Sequence, residues 1–130
     1  MSDLPKEQDL AIRVMAMPAD TNASGDIFGG WLMSQVDLAG SIVARRHAQG
    51  RTVTVAVDSF QFRKPVFVGD VVSCYAKITR VGKTSLTINV KAYAERQGKS
   101  HHTHLVTEAK LTYVAVDEER KPRQIPLDTL

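Results

Sequence analysis

The sequence predicts an α+β domain in which one long helix packs with a mostly antiparallel sheet of about five strands. Three observations carry this. One stretch, residues 29–48, is apolar on nearly every side. Shorter segments before and after it alternate apolar and polar residues, the period of a strand. Most of those segments come after the helix in an unbroken run, and runs of strands mark an antiparallel α+β fold rather than a parallel one.

In chain order, residues 1–8 read as a loose arm. Residues 9–16 (DLAIRVMA) place Leu10, Ile12 and Val14 on one face of a short strand. Residues 17–28 are rich in Pro, Asp, Asn, Ser and Gly and read as a loop. The helix spans 29–48; Arg45, Arg46 and His47 suit the negative end of its dipole, and Gly50 stops it. Residues 52–62 carry Val53, Val55 and Val57 on one face, then Phe60 and Phe62 on the other, a switch that predicts a bulge or a bend. Residues 71–81 align Val72, Cys74, Ala76 and Ile78. Residues 84–94 align Leu86, Ile88, Val90 and Ala92. Residues 105–116 align Leu105, Ala109, Leu111, Tyr113 and Ala115. Val81-Gly82-Lys83 makes a tight hairpin connection, and Gln97-Gly98-Lys99 sits in a longer one. Residues 117–130 form a charged turn and an irregular tail. A helix apolar all round needs more cover than one sheet provides, so a second subunit is expected to supply the rest.

Composition narrows the function. The 130 residues make a single domain, 1–130, and 43% hydrophobic residues exclude wholesale disorder. Seventeen basic against fourteen acidic residues leave a net +3, mild enough to suit an anionic ligand but not a nucleic-acid-binding profile. Cys74 is the only cysteine, so no internal disulfide or cysteine-based zinc site forms, and a reducing, cytoplasmic setting is expected. The start, MSDLPKEQDL, lacks the pattern of a secretory signal. No apolar run reaches the ~20 residues of a membrane span.

One residue does not belong. Asp37 lies between Val36 and Leu38 in the apolar helix, where an unpaired carboxylate is costly. Gly30, Ser34, Asp37 and Ser41 fall on one stripe, small and polar. Such a stripe lines a ligand cleft or makes a polar helix contact, and both readings stand. Ahead of it, Asn22, Gly25, Gly29 and Gly30 crowd the helix entrance. A helix start offers free N–H groups and partial positive charge, and glycines let a ligand approach: the requirements of an oxyanion hole. Asp26 reads as a helix cap or a partner of the helix dipole rather than a catalytic acid. Gly30 and Asp37 stand roughly 10 Å apart along the axis, too far to grip one carbonyl together. Two helices related by a two-fold axis would bring one start beside the other's Asp37, so a composite site at a dimer interface is expected.

The segments MPADTNASGDIFGGWLMSQVD, TVAVDSFQFRKPVFVGDVV and TRVGKTS resemble the YciA-type acyl-CoA thioesterases of the hotdog-fold superfamily, over residues 12–116. The resemblance implies an antiparallel sheet wrapped around the central helix, a dimer with a continuous sheet, and a trimer of dimers. It implies hydrolysis of acyl-CoA to free acid and CoA without metal or organic cofactor. The family's catalytic pair falls on Asn22 and Asp37, working across the subunit interface, with Gly29 and Gly30 at the backbone oxyanion site. It places CoA contacts near Lys64, Arg80, Gly82, Lys83, Thr84 and Ser85. Asp37 then acts as general base toward water or as a nucleophile forming an anhydride.

Other features read more plainly. His101, His102 and His104 cluster in an expected surface loop without a partner carboxylate motif. Asp58 lies beside the expected bulge and reads as structural. Trp31 and Met33 read as core or acyl-pocket lining. Cys74 reads as a buried strand residue. A hotdog hydratase would want a histidine near the helix start, and none precedes His47. A non-catalytic binding module would use the +3 charge, but the basic residues are scattered.

Overall fold

The computed structural model describes residues 4–96, 98 and 102–127. Its elements are β1 (Leu10–Met15), α1 (Gly29–Ala48), β2 (Thr52–Phe62), β3 (Val71–Val81), β4 (Ser85–Arg96) and β5 (His102–Ala115). The five strands form one sheet in the order β1-β3-β4-β5-β2, every neighbouring pair antiparallel. The expected fold class and helix bounds are those observed. The sheet curls around α1, and Leu86, Ile88, Val90, Leu111 and Tyr113 pack with Leu32, Val36 and Ala39 of the helix in one buried cluster. No helix among the described residues is long and apolar enough to cross a membrane.

Several local expectations change. The helix is covered on one face only: Leu32, Val36, Ala39, Gly40, Ala44 and Ala48 are buried, whereas Met33, Leu38 and Ile42 are 40%, 53% and 37% exposed. One curled sheet reaches one side of a helix, so the rest of its apolar surface faces outward. The helix ends at Gln49, not Gly50: Gln49 adopts the left-handed conformation (φ 54°) and its N–H donates to the Arg45 carbonyl. Asp26 is not the cap. Phe28 holds that position and makes no side-chain capping bond.

β2 departs most. The valines do not share a face. Thr54 pairs with Tyr113, but Ala56 pairs with Thr112, so Val55 is an extra residue that reverses the facing of the rest of the strand. Val57 then lies opposite the buried Leu111, on the helix side, while Val53 opposes Val114 on the other. A second shift between Asp58 and Gln61 is the expected bulge, with Ser59 at φ 58°. Phe60 and Phe62 end the strand side by side, ring centroids 4.9 Å apart.

The arm is not wholly loose. Glu7–Asp9 form a 3-10 turn, and Pro5, Lys6 and Asp9 share a shallow cavity with Tyr75 and Lys77 of β3. The tail is also anchored: Ile125 is buried, and its N–H donates to the Lys83 carbonyl over 2.9 Å. Residues 1–3 of the arm, 128–130 of the tail, and Gln97, Lys99 and His101 lie outside the described residues.

Candidate active site

The loop before α1 is built on Asn22. Its side-chain oxygen accepts the N–H groups of Ser24 (2.9 Å) and Asp26 (3.2 Å), and its own N–H donates to the Asp26 carbonyl (2.8 Å). Gly25 closes the turn at φ 86°, a conformation that favours glycine. Two backbone donors fix which half of the Asn22 amide is oxygen. The half left to meet a ligand is the NH₂, a donor. Asn22 itself is exposed.

The helix start is held from two sides. Phe28 N–H donates to the Asp20 carbonyl (2.8 Å) and Ile27 N–H to the Val66 carbonyl (3.2 Å). Trp31 and Leu32 N–H both turn back to the Phe28 carbonyl, while those of Gly29 and Gly30 precede any intrahelical acceptor. A Cβ at Gly29 would stand 3.3 Å from Phe62 Cζ, and one at Gly30 2.9 Å from Phe28 Cε2. Both glycines therefore let an aromatic ring close on the helix start. A cavity of about 340 Å³ opens there, lined by Ile27, Gly29, Leu32, Phe62, Lys64 and Val66. It is mostly apolar, with Arg63 and Lys64 on its wall.

Asp37 sits two turns deeper and is half-buried. Its partners are not the serines of its stripe. Thr54 Oγ1 donates to Asp37 Oδ1 over 2.8 Å, and the Tyr113 hydroxyl lies 2.8 Å from the Asp37 carbonyl and 3.0 Å from Oδ1. Ser34 instead donates to the Trp31 carbonyl. Burial, then the Asp37 charge and hydrogen bond, push the Tyr113 phenol well above its ordinary pKa, so it is a permanent donor. Neither Thr54 nor Tyr113 stood out in the sequence, though a buried tyrosine hydroxyl always needs a partner, and that was the available signal.

The basic residues do not converge within one chain. Lys64 is at the start of α1. Gly82 and Lys83 line a separate cavity of about 450 Å³ with His47, at the other end of the helix. A 20-residue helix is roughly 30 Å long, so these ends cannot share one CoA within a protomer. Thr84 and Ser85 complete the hairpin, with Gly82 N–H donating to the Ser85 carbonyl (2.7 Å) and Ala115 N–H to that of Thr84 (2.8 Å). Arg80 is exposed and pairs with Thr87.

The remaining candidates fall elsewhere. Cys74 is fully buried, and burial pushes its thiol up to about 12. Asp58 is exposed beside its bulge. Trp31 packs against the core, while Met33 faces outward. His102 and His104 stack on β5, not in a loop, ring centroids 5.7 Å apart.

One helix sheathed by a five-stranded antiparallel sheet, with a carboxylate inside and a glycine-rich entrance to the helix, is the hotdog architecture of thioesterases. Residues 24–101 match the thioesterase superfamily. The chain is 51% identical over 122 residues to the acyl-CoA thioester hydrolase YciA of Escherichia coli, covering 92% of each. It is 54% identical to a hexameric thioesterase from Yersinia pestis, covering 95% of this chain and 98% of that one, with a TM-score of 0.87. An acyl-CoA hydrolase of Staphylococcus aureus, 32% identical with a TM-score of 0.80, covers 88% of this chain and 70% of its own, and is known in complex with butyryl-CoA, CoA and CoA disulfide. Alanine mutants of that enzyme at an aspartate and at a threonine are also known. The chain belongs to the thioesterase superfamily, among its YciA-type acyl-CoA thioester hydrolases.

Proposed function

We propose that this protein hydrolyses acyl-CoA thioesters to free acid and CoA, with Asp37 as the group that activates water or attacks the carbonyl. The observation that carries this is the carboxylate of Asp37, held from β2 and β5 on an otherwise apolar helix. An apolar groove leads to the free N–H groups of the helix start. The thioester carbonyl sits against the backbone of Gly29 and Gly30, where donors are already oriented toward the charge that develops. Asn22 contributes its NH₂ to the same oxygen, since its own carbonyl is committed to the loop. The tetrahedral intermediate then expels the CoA thiolate, a good leaving group that needs no metal. Where water attacks, the free acid forms directly; where Asp37 attacks, water then hydrolyses the acyl–Asp37 anhydride to release the acid and restore the carboxylate.

The catalytic unit is a dimer. β2 lies at the edge of the sheet with Val53 and Val55 exposed, next to the uncovered helix face of Met33, Leu38 and Ile42. Pairing β2 with its two-fold copy extends the sheet and covers that apolar surface. It also sets two helices antiparallel, so that Asn22 of one subunit works with Asp37 of the other. The same pairing carries Lys83 of one chain toward Lys64 of the other, which places Lys64, Arg80 and the Gly82–Ser85 hairpin around one CoA. Three such dimers make the hexamer; the Yersinia relative is hexameric. The enzyme acts in the cytoplasm, where a lone buried thiol stays reduced.

A free-thiol assay with short-, medium- and long-chain acyl-CoAs tests the reading. Release of CoA thiol well above the uncatalysed rate from at least one chain length supports it. Tight acyl-CoA binding without thiol release from any of them would establish a binding module instead. Water addition to an enoyl-CoA would establish a hydratase.

A further inference from the structure

We propose that Tyr113 is a positioning residue that aims Asp37, and that position 40 is glycine because the Tyr113 hydroxyl occupies the space a side chain would need. This deepens the reading of Asp37 as the reacting carboxylate and rests on it. Tyr113 rises from β5 with its ring buried to 1% exposure and ends at the helix. There one hydroxyl meets two acceptors of the same residue, the Asp37 carbonyl at 2.8 Å and Oδ1 at 3.0 Å. Tying a residue's backbone and carboxylate to one donor restrains both of its side-chain torsions. Thr54 adds its bond to the same Oδ1. Among the described residues, no donor addresses Oδ2. The carboxylate is thus gripped by one oxygen and presents the other, and Oδ2 is the atom that takes the proton of water or forms the bond to the acyl carbon.

Gly40 is three residues on from Asp37, one turn along the same face. A Cβ there would overlap the Tyr113 hydroxyl and stand 2.9 Å from Cζ, inside any real contact distance. The ring is fixed by the buried sheet around it, so it cannot yield cheaply. An alanine at 40 would push the hydroxyl off Asp37 without touching the substrate groove.

The test is a cycle of Tyr113→Phe, Gly40→Ala and the double variant in the full-length oligomer, with Asp37→Asn alongside. Oligomer mass and melting temperature are read beside kcat and KM. Tyr113→Phe is expected to keep its oligomer and its KM while kcat falls roughly 10- to 100-fold, the kinetic equivalent of one lost hydrogen bond to a charged group. Gly40→Ala is expected to lose a similar factor, and the double variant no more than the worse single one, because both remove the same bond. In the Asp37→Asn background, Tyr113→Phe is expected to leave the residual rate unchanged, a readout that serves even where Gly40→Ala does not fold. An unchanged kcat in Tyr113→Phe, multiplying losses in the double variant, or a further loss in the Asp37→Asn background would each overturn the proposal. Full activity of Asp37→Asn itself would sink the broader reading, whereas an inactive Asp37→Asn beside a fully active Tyr113→Phe would sink only this one.

Discussion

Thr54 Oγ1 donates to Asp37 Oδ1 across 2.8 Å, joining the edge strand to the middle of the central helix. Regular pairing of Thr52, Val53 and Thr54 with β5 sets Thr54 on the helix side directly opposite Tyr113, just ahead of the bulge at Val55. Removing it frees one side of the carboxylate without opening the core, since Thr54 is exposed in the single chain. Thr54→Ala should lower kcat roughly 10-fold, as expected for a hydrogen bond to a charged group, with little change in KM. Thr54→Ser keeps the hydroxyl and should restore most of the rate. Steady-state thiol release from the three proteins checks both, and equal rates for Ala and Ser would remove Thr54 from the site.

Asp70 is 2% exposed and takes a bidentate pair of bonds from Arg96 at 3.0 and 2.9 Å. Burial pushes its carboxyl up, but the Arg96 guanidinium and the Phe67 N–H outweigh it and hold it below the ordinary value. A lowered folded pKa means stability that is present above the unfolded value near 4 and lost as pH falls through the folded one. Arg96→Met should cost about 3 kcal/mol at pH 7, because it strands a buried charge. Thermal unfolding from pH 7 down to pH 3 should show the gap in Tm between variant and parent closing as pH falls from the ordinary carboxylate value toward Asp70's own lowered one. A gap independent of pH would mean that the loss is packing against Phe67, over which the guanidinium lies at 4.5 Å.

Much of this fold was legible in the sequence, and the reasons are physical. The helix bounds came from an apolar stretch between a glycine pair and a basic last turn, signals that lie next to one another in the chain. Strand faces were legible wherever alternation ran unbroken, as in β3 and β4. They failed in β2 because a single inserted residue, Val55, inverts everything after it while leaving the local pattern intact, and at the start of β5, where a shift beside Val106 sets Leu105 opposite Tyr93 and off the face of Ala109, Leu111 and Tyr113. Asp37 declared itself by its polarity. Its partners did not, because Tyr113 is 76 residues away and looked like one more apolar position of β5. The two lysines offered no sign that they stand at opposite ends of the helix.

That separation has a consequence for substrate binding. Lys64 and Lys83 are exposed, and CoA carries several phosphate charges. Exposed charges interact over a screening length of about 8–10 Å at ordinary ionic strength. KM for acyl-CoA should therefore rise with added salt while kcat stays flat. Lys64→Ala and Lys83→Ala should each raise KM and weaken its salt dependence. A short thioester lacking the nucleotide should respond to neither salt nor these changes. A KM for acyl-CoA that ignores all of them would place the nucleotide elsewhere.

If Asn22 and Asp37 act across the two-fold axis, two dead parents should make a live hybrid. Subunits carrying Asn22→Ala, mixed with subunits carrying Asp37→Asn, would form dimers with one intact site and one doubly altered site. Activity should rise above either parent, toward about a quarter of wild type for random pairing in which half the dimers hold one good site each. Hybrids verified by mass spectrometry that remain inactive would put both residues in a site within one chain.

The central claim is that the carboxylate of Asp37 performs the chemistry. Asp37→Asn tests it most directly, since the amide keeps the shape and can still accept from Thr54 and Tyr113 through its oxygen. The measurement is kcat for thiol release by the purified variant, with oligomer mass and Tm matched to the parent. The expected result is a fall of at least ~10²-fold in kcat, the usual loss when a general base is removed, with acyl-CoA still bound. A folded variant that turns over at near the parental rate would contradict the account.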